Sequence, residues 1–106
     1  MTGTVEYKGK VFPVDFEGFL TDPSLWGPEW VAHVQELEEL DEITEEHYEI
    51  LNILREYHAT HGHPPKVKEM TMVTGFKLKH IYELFPSGPG KGACKMAGLR
   101  KPEGCV

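Results

Sequence analysis

The chain has 106 residues and a mass of 12.0 kDa, which suits one small domain with a core of its own. Its 40% hydrophobic and 26% charged residues are typical of a soluble globular protein. No apolar run approaches the ~20 residues that span a bilayer, and residues 1–10 lack the apolar stretch of a secretory signal. We therefore expect a cytoplasmic protein with no direct membrane insertion.

Charge is divided unevenly along the chain, whose net charge is −6. Residues 1–60 carry three Lys/Arg against fourteen Asp/Glu, whereas residues 61–106 carry eight against three. The basic second half predicts contact with something anionic. For the acidic residues between positions 36 and 46, a solvated helix face is the favoured interpretation.

Residues 4–13 predict a β-hairpin around a Lys8-Gly9 turn, with Pro13 closing the second strand. The alternating apolar residues are Val5 and Tyr7 on one side and Val11 on the other. Pro28 suits the first position of a helix. The residues that follow it at helical spacing are Trp30, Val31, Val34 and Leu37.

A central helix is predicted between Thr44, a good N-cap, and Gly62, a C-terminal stop. Carboxylates at Glu45 and Glu46 complement the dipole of its first turn. Its apolar face comprises Ile50, Leu51, Leu54 and either Tyr57 or His58.

Two shorter helices follow, at residues 66–73 and 76–85, on either side of a Thr74-Gly75 turn. The apolar face of the second comprises Leu78, Ile81, Tyr82 and Phe85. The pair resembles a helix–turn–helix, and the cations of its second helix are Lys77, Lys79 and His80. Because the whole chain is acidic and this helix has no Arg, Asn or Gln to read base edges, we do not expect nucleic-acid binding as the main function.

Residues 86–90 predict a loop, residues 91–99 a last short helix with Cys94, and residues 100–106 a flexible arm. The domain itself is expected to span residues 1–99. The predicted fold class is mainly α: a small orthogonal helical bundle with a helix–turn–helix-like pair, an N-terminal β-hairpin and a flexible C-terminal arm.

The chain has two cysteines, Cys94 and Cys105, both in its final stretch. In the cytoplasm two cysteines indicate redox, catalytic or metal chemistry more often than a permanent disulfide. Chain ends are rarely enclosed on all sides, so Cys105 is expected to be a mobile sulfur. Extended from Leu99, the arm would place it up to ~20 Å from the domain; folded back, it would bring the two thiols together. A static disulfide, or two idle thiols, is the alternative.

Cations near the cysteines lower a thiol pKa and favour the reactive thiolate. The cations singled out as tuning or steering the arm are Lys91, Arg100 and Lys101, with Lys95 also nearby. The carboxylate of Val106 acts in the opposite direction on Cys105. Cys94 is predicted near the start of a short helix, where the positive end of the helix dipole would also favour its thiolate.

Four histidines lie in and after the central helix: His47, His58, His61 and His63. Without a cysteine or carboxylate placed beside them they make a weak ligand pattern, so we expect no metal. The aromatic residues are expected to fill the core. They are Trp26, Trp30, Tyr48, Tyr57, Phe76, Tyr82 and Phe85.

The tail, LFPSGPGKGACKMAGL at residues 84–99 followed by KP at 101–102 and GCV at 104–106, closely resembles the DsrC family, the gamma subunit of dissimilatory sulfite reductase. The likeness extends back through residues 7–10, Asp15 with residues 18–20, and residues 44–47. The family also includes TusE-type sulfur-relay proteins of tRNA thiolation, which typically lack a cysteine matching Cys94. Keeping both cysteines, and having no insertion between Lys77 and Leu84, resembles the sulfite-reducing branch.

The resemblance implies a sulfur carrier of dissimilatory sulfite reduction, a protein co-substrate rather than an enzyme by itself. Cys105 would enter the reductase, formed by its alpha and beta subunits, and take up sulfur near the sirohaem. Cys94 would then close a trisulfide, later reduced by a membrane-bound electron-transfer complex. Sirohaem and iron–sulfur clusters would belong to the partners, and this chain would bind no cofactor.

Two positions depart from the family pattern: Arg100 replaces the usual proline and Glu103 the usual threonine. The first makes the arm less rigid, and the second places a carboxylate near Cys105, where it opposes thiolate formation. Two alternative functions stay open: a persulfide relay in tRNA thiolation or sulfur oxidation, and, from a different class, a redox-sensing helix–turn–helix regulator that binds DNA.

Overall fold

The computed structural model describes residues 2–105; Met1 and Val106, the residue predicted to end the arm, lie outside them. Within this range the chain forms a hairpin, four α-helices and a π-helix, so the predicted fold class, mainly α with an N-terminal hairpin, is confirmed. The bounds are β1 (Thr2–Tyr7), β2 (Lys10–Asp15), α1 (Pro28–Leu37), α2 (Glu45–His61), α3 (Met70–Thr74), α4 (Leu78–Leu84) and the π-helix (Pro89–Cys94).

The hairpin turns at Lys8 and Gly9, whose φ angles of 50° and 84° are those that a two-residue type I′ turn requires. Phe12 lies opposite Val5 and is buried, while Val11 is exposed on the other face. The alternation along the strands therefore directs one face of the sheet onto the core.

Pro13 does not close β2, which continues to Asp15; this detail of the hairpin prediction is wrong. The carbonyl oxygen of Pro13 faces away from β1 and accepts a hydrogen bond of 3.0 Å from the backbone N–H of Thr21. Proline has no N–H to donate, but the backbone nitrogen of Pro13 also faces away from β1. No hydrogen bond between the two strands is therefore lost.

Helix α1 begins at Pro28 as predicted and buries Trp30, Val31 and Val34. Leu37, predicted on the same face, is 57% exposed. The helix ends at this residue, and Leu40 and Ile43 of the following segment pack against the core instead.

Helix α2 confirms the prediction at both ends. The side chain of Thr44 caps its first turn, and Gly62 ends it with a φ of 80°, in the left-handed region that favours glycine. The residues of its apolar face that are fully buried are Ile50, Leu51 and Leu54.

The helix–turn–helix-like pair is present as α3, preceded by a 3₁₀ turn at Val67–Glu69, and α4. Of the predicted face of α4, Ile81 is buried, whereas Leu78 and Tyr82 are about half exposed. The helix has only seven residues, and its contact with the core is carried by Ile81 and Leu84 near its C-terminal end.

The last helix differs from its prediction. It begins at Pro89 rather than at residue 91 and winds as a π-helix, in which the N–H of Lys95 donates to the carbonyl of Gly90. Residues 86–90 are predicted as a loop from their Pro and Gly content, but proline also suits the first position of a helix. Single π-turns are rare and occur frequently at functional sites. The turn packs Ala93 and Cys94 into the core.

Candidate functional site

Cys94 is the last residue of the π-helix, and its side chain is wholly buried in the core. Burial raises the pKa of its thiol, and charge repulsion from Cys105 raises that pKa further. The prediction that a helix dipole stabilises the Cys94 thiolate is wrong. The helix begins at Pro89, so Cys94 lies at the negative end of its dipole. Cys94 is therefore a neutral thiol in this conformation.

Three side chains hold the backbone directly after Cys94 by donating to three successive carbonyl groups. The bonds run from Trp30 Nε1 to Lys95 O at 2.7 Å, from Trp26 Nε1 to Met96 O at 2.9 Å and from Arg55 Nη1 to Ala97 O at 2.7 Å. We call Trp26, Trp30 and Arg55 the carbonyl clamp. It fixes the chain at the point where the cysteine turn leads into the arm.

Arg55 also ties the clamp together. Its Nη2 donates to the carbonyl of Pro23 at 3.3 Å, and its guanidinium lies 4.2 Å from the centroid of the Trp26 ring. Sequence reasoning assigned the two tryptophans to the core and did not single out Arg55. A signal was available: Arg55 is the one Lys or Arg between Lys10 and Lys66.

The arm is folded back along the domain in this conformation. Lys101 Nζ lies 3.2 Å from both carboxylate oxygens of Glu17, and the carbonyl of Glu103 accepts a 3.0 Å hydrogen bond from the backbone N–H of Val67. Pro102 is buried between these two attachments. The arm's mobility stays a prediction, but its docked path is defined.

Cys105 is partly buried, and both cysteines are free thiols. A Cβ placed on Gly90 would lie 2.5 Å from Cys105 Sγ, so this sulfur rests against the backbone of the π-helix. A cavity of about 120 Å³ adjoins it, lined by Cys105, Gly90, Tyr82 and Lys91 among others. The arm thus docks Cys105 on the π-helix that ends at Cys94.

The three predicted basic residues have different settings. Lys91 is exposed and lines the Cys105 cavity, while Lys101 is engaged by Glu17. Arg100 is exposed and borders a cavity of about 380 Å³ at the base of the arm. Burial lowers the pKa of His58, and the positive charge of Arg100 lowers it further. The tuning role of these cations stays a prediction.

The histidines have separate structural settings. His47 is buried; its Nδ1 accepts from the backbone N–H of Thr44 at 3.0 Å, and its Nε2 donates to the carbonyl of Leu84 at 2.7 Å. His61 stacks on Tyr57 with ring centroids 3.9 Å apart. In the described part of the chain no three His, Cys, Asp or Glu side chains are grouped to hold a metal ion.

The protein is therefore a small helical dithiol protein, with one thiol in its core and the second on a docked arm. The family model for DsrC like protein matches residues 6–106, and the chain belongs to this family. None of the helices within residues 2–105 has the length and apolar character needed to cross a membrane.

Two relatives and one solved structure illustrate the likeness. Sulfite reductase, dissimilatory-type subunit gamma, of Nitratidesulfovibrio vulgaris is 55% identical over 102 residues, covering 96% of this chain and 97% of that protein. Sulfurtransferase TusE of Pectobacterium atrosepticum is 30% identical over 109 residues, covering 96% and 99%. A chain in the crystal structure of dissimilatory sulfite reductase I (DsrI) is 49% identical with a TM-score of 0.87, covering 98% of this chain and all of that one.

Proposed function

We propose that this protein is the sulfur-carrying gamma subunit of a dissimilatory-type sulfite reductase. The observation that carries the proposal is the presence of two free thiols, Cys94 inside the core and Cys105 on a folded-back arm that docks on the same helix. The likeness to a subunit gamma over nearly the full length of both chains supports the choice of partner. Cys105 is the residue assigned to accept sulfur, because it is the less buried thiol and is attached to a separable segment.

The proposed chemistry balances when the delivered sulfur has the formal oxidation state +2. The reductase supplies two electrons to sulfite, which yields this level with loss of water. Sulfur as H₂SO₂ then condenses with the Cys105 thiol, forming one S–S bond and releasing water. Attack by Cys94 forms the second S–S bond and releases a second water, leaving a trisulfide and requiring no further oxidant.

The trisulfide must be reopened before the protein can act again. Four electrons and four protons restore the two thiols and release hydrogen sulfide. We assign this step to a membrane-bound electron-transfer complex. The sirohaem and iron–sulfur clusters in this proposal belong to the alpha and beta subunits of the reductase, and the chain acts as their co-substrate.

The buried Cys94 fits the second step rather than the first. Because its enclosure keeps the thiol neutral, it is protected from outside electrophiles while Cys105 is unloaded. When the arm returns with its sulfur along the docked path, the loaded residue would come back to the π-helix that ends at Cys94. Lys91, Arg100 and Lys101 are assigned to guide the basic arm, with Lys101 released from Glu17 when the arm extends.

Intact mass spectrometry after incubation with the reductase, reductant and sulfite tests the carrier role. The expected product gains one sulfur atom and loses two hydrogens. Cys105→Ala should gain nothing. Cys94→Ala should stop at Cys105–S–SOH, a gain of one sulfur and one oxygen atom, or keep the sulfur alone once two electrons from the reductant have removed that oxygen as water. Sulfur uptake by Cys105→Ala equal to that of the wild type would rule the proposal out.

The likeness to TusE keeps a persulfide relay as the second candidate. A relay needs one thiol, so Cys94→Ala would remain fully active in passing sulfur onward. The regulator alternative requires sequence-selective DNA binding. Gel-shift titration at physiological salt tests it, and tight selective binding would favour it over the carrier.

A further inference from the structure

We propose that Gly90 is a positioning residue for closure of the ring between the two cysteines: its missing side chain forms the seat in which Cys105 docks beside Cys94. The role of this ring closure in sulfur transfer rests on the proposed function. The geometry itself does not, since it concerns only where the arm docks on the domain.

The seat is the space that a side chain at residue 90 would fill. A Cβ there would lie 2.5 Å from Cys105 Sγ, 3.1 Å from Cys105 Cβ and 3.3 Å from Pro102 Cγ. The first of these separations is far inside van der Waals contact, and the atoms involved belong to the arm rather than to the helix. Any side chain larger than hydrogen would therefore displace the docked arm.

Gly90 also lies on the face of the helix that carries Cys94. The two residues are four apart, within one i→i+5 turn of the π-helix, so they are neighbours across that turn. Helical side chains tilt toward the N-terminus, which directs Cys94 toward the turn that contains Gly90. Charge repulsion between the two thiols, one cause of the raised Cys94 pKa, agrees with this proximity.

Backbone conformation gives no reason for a glycine at this position. Gly90 is not among the glycines with positive φ, and it lies inside a helix, where alanine is favoured over glycine. The contrast with Gly98, whose φ of 75° favours glycine by itself, is clear. At Gly90 the three nearest atoms that a methyl group would meet all belong to the arm.

Ring closure can be measured without any reductase by equilibration with glutathione. Cys105 attacks oxidised glutathione, breaking its S–S bond, forming a mixed disulfide and releasing one reduced glutathione. Cys94 then attacks the Cys105 sulfur and releases the second reduced glutathione, so the electrons and atoms balance. The equilibrium constant gives the effective concentration of one thiol relative to the other.

The expected result for Gly90→Ala is an effective concentration roughly tenfold or more below the wild-type value. The rate of Cys105 alkylation by iodoacetamide should stay equal or rise, because the arm is freed rather than buried. Gly3→Ala is the matched control, since a Cβ at Gly3 has no neighbour within 4 Å and φ there is not positive. An effective concentration within twofold of the wild type in Gly90→Ala would overturn the proposal.

Val67→Pro reaches the docked arm from the other side. It removes the N–H that donates to the Glu103 carbonyl, yet proline is suited to the first position of the 3₁₀ turn. The preceding Lys66 already has the extended ψ of 152° that proline requires. We expect roughly a fivefold lower effective concentration.

The two variants together leave no ambiguous outcome. Should Gly90→Ala lower the stability of the domain, Val67→Pro decides, and unchanged closure in that variant would overturn the docked arrangement. A chain that closes with glutathione but takes no sulfur from the reductase would contradict the proposed function and leave the Gly90 seat intact.

Discussion

Arg55 Nη1 donates a 2.7 Å hydrogen bond to the carbonyl oxygen of Ala97, joining the middle of α2 to the segment between the two cysteines. The contact spans 42 residues of sequence. It joins the acidic first half of the chain to the backbone of the basic second half. The site is therefore built by the whole domain rather than by the tail motif alone.

Arg55→Ala should lower the free energy of unfolding by about 2–4 kcal/mol, because two hydrogen bonds from a charged group and a cation–π contact are lost together. Arg55→Lys should restore less than half of this, since an ammonium cannot reproduce the guanidinium fork. Urea denaturation measures both. Exposed Lys79→Ala is the control and should stay within about 0.5 kcal/mol; an Arg55→Ala value in the same range would contradict the clamp.

Gly98→Ala tests the packing of the turn after Cys94. Its φ is 75°, and a Cβ there would lie 2.6 Å from Trp26 Cδ1. Gly75 is the matched control, because its φ is 77° and a Cβ there has no neighbour within 4 Å. Thermal or urea unfolding should show about 1–2 kcal/mol lost in Gly75→Ala from conformation alone, and a further ~1–3 kcal/mol in Gly98→Ala from overpacking. Equal losses would show that Trp26 does not pack on this turn.

The buried Cys94 thiol predicts a loss of stability in alkaline solution. Its pKa is raised in the folded state, so the folded protein keeps a proton that the unfolded chain releases. This contribution is constant below the unfolded thiol pKa of ~8.5 and falls above it by about 1.4 kcal/mol per pH unit.

Urea denaturation of the wild type and Cys94→Ala between pH 7 and 10 measures the difference, which isolates this thiol from other groups. We expect the wild type to lose stability more steeply above pH ~8.5. Parallel curves for the two proteins would show that Cys94 ionises as readily in the folded state as in the unfolded chain.

Arg100 and His58 provide a probe of the base of the arm. Burial lowers the pKa of His58, and the Arg100 charge lowers it further, so Arg100→Gln should raise that pKa. Because the unfolded chain binds this proton more readily than the folded protein, the stability contribution of His58 is fully present above pH ~6.5. It is lost as the pH falls below that value. Titration of the His58 ring by NMR measures the change, with Lys79→Gln as the control. No change in Arg100→Gln would place Arg100 away from His58.

The parts of the fold that could be predicted from the sequence are those with local signals. Lys8-Gly9 requires a tight turn, and Thr44 and Gly62 fix the ends of α2 through caps that involve only neighbouring residues. The two cysteines were found in the same way, from their places in the chain. In each case the chemistry lies within a few residues.

The rest depends on contacts between distant segments. No local signal in the sequence predicts a π-helix at residues 89–94; the backbone directly after it is held by Trp26, Trp30 and Arg55, up to 70 residues away. Cys94 is predicted beside cations because its neighbours in sequence are basic. Its enclosure in the core depends instead on packing against segments that are distant in sequence. The cytoplasmic location stays a prediction.

Tryptic peptide mapping under non-reducing conditions, after incubation with the reductase, reductant and sulfite, shows whether Cys94 and Cys105 hold the delivered sulfur between them. Cleavage after Lys91, Lys95 and Arg100 places the cysteines on separate peptides, residues 92–95 and residues 101–106. We expect these two peptides to be joined through three sulfur atoms. Recovery of both as unmodified thiols, or of added sulfur on the Cys94 peptide alone, would contradict it.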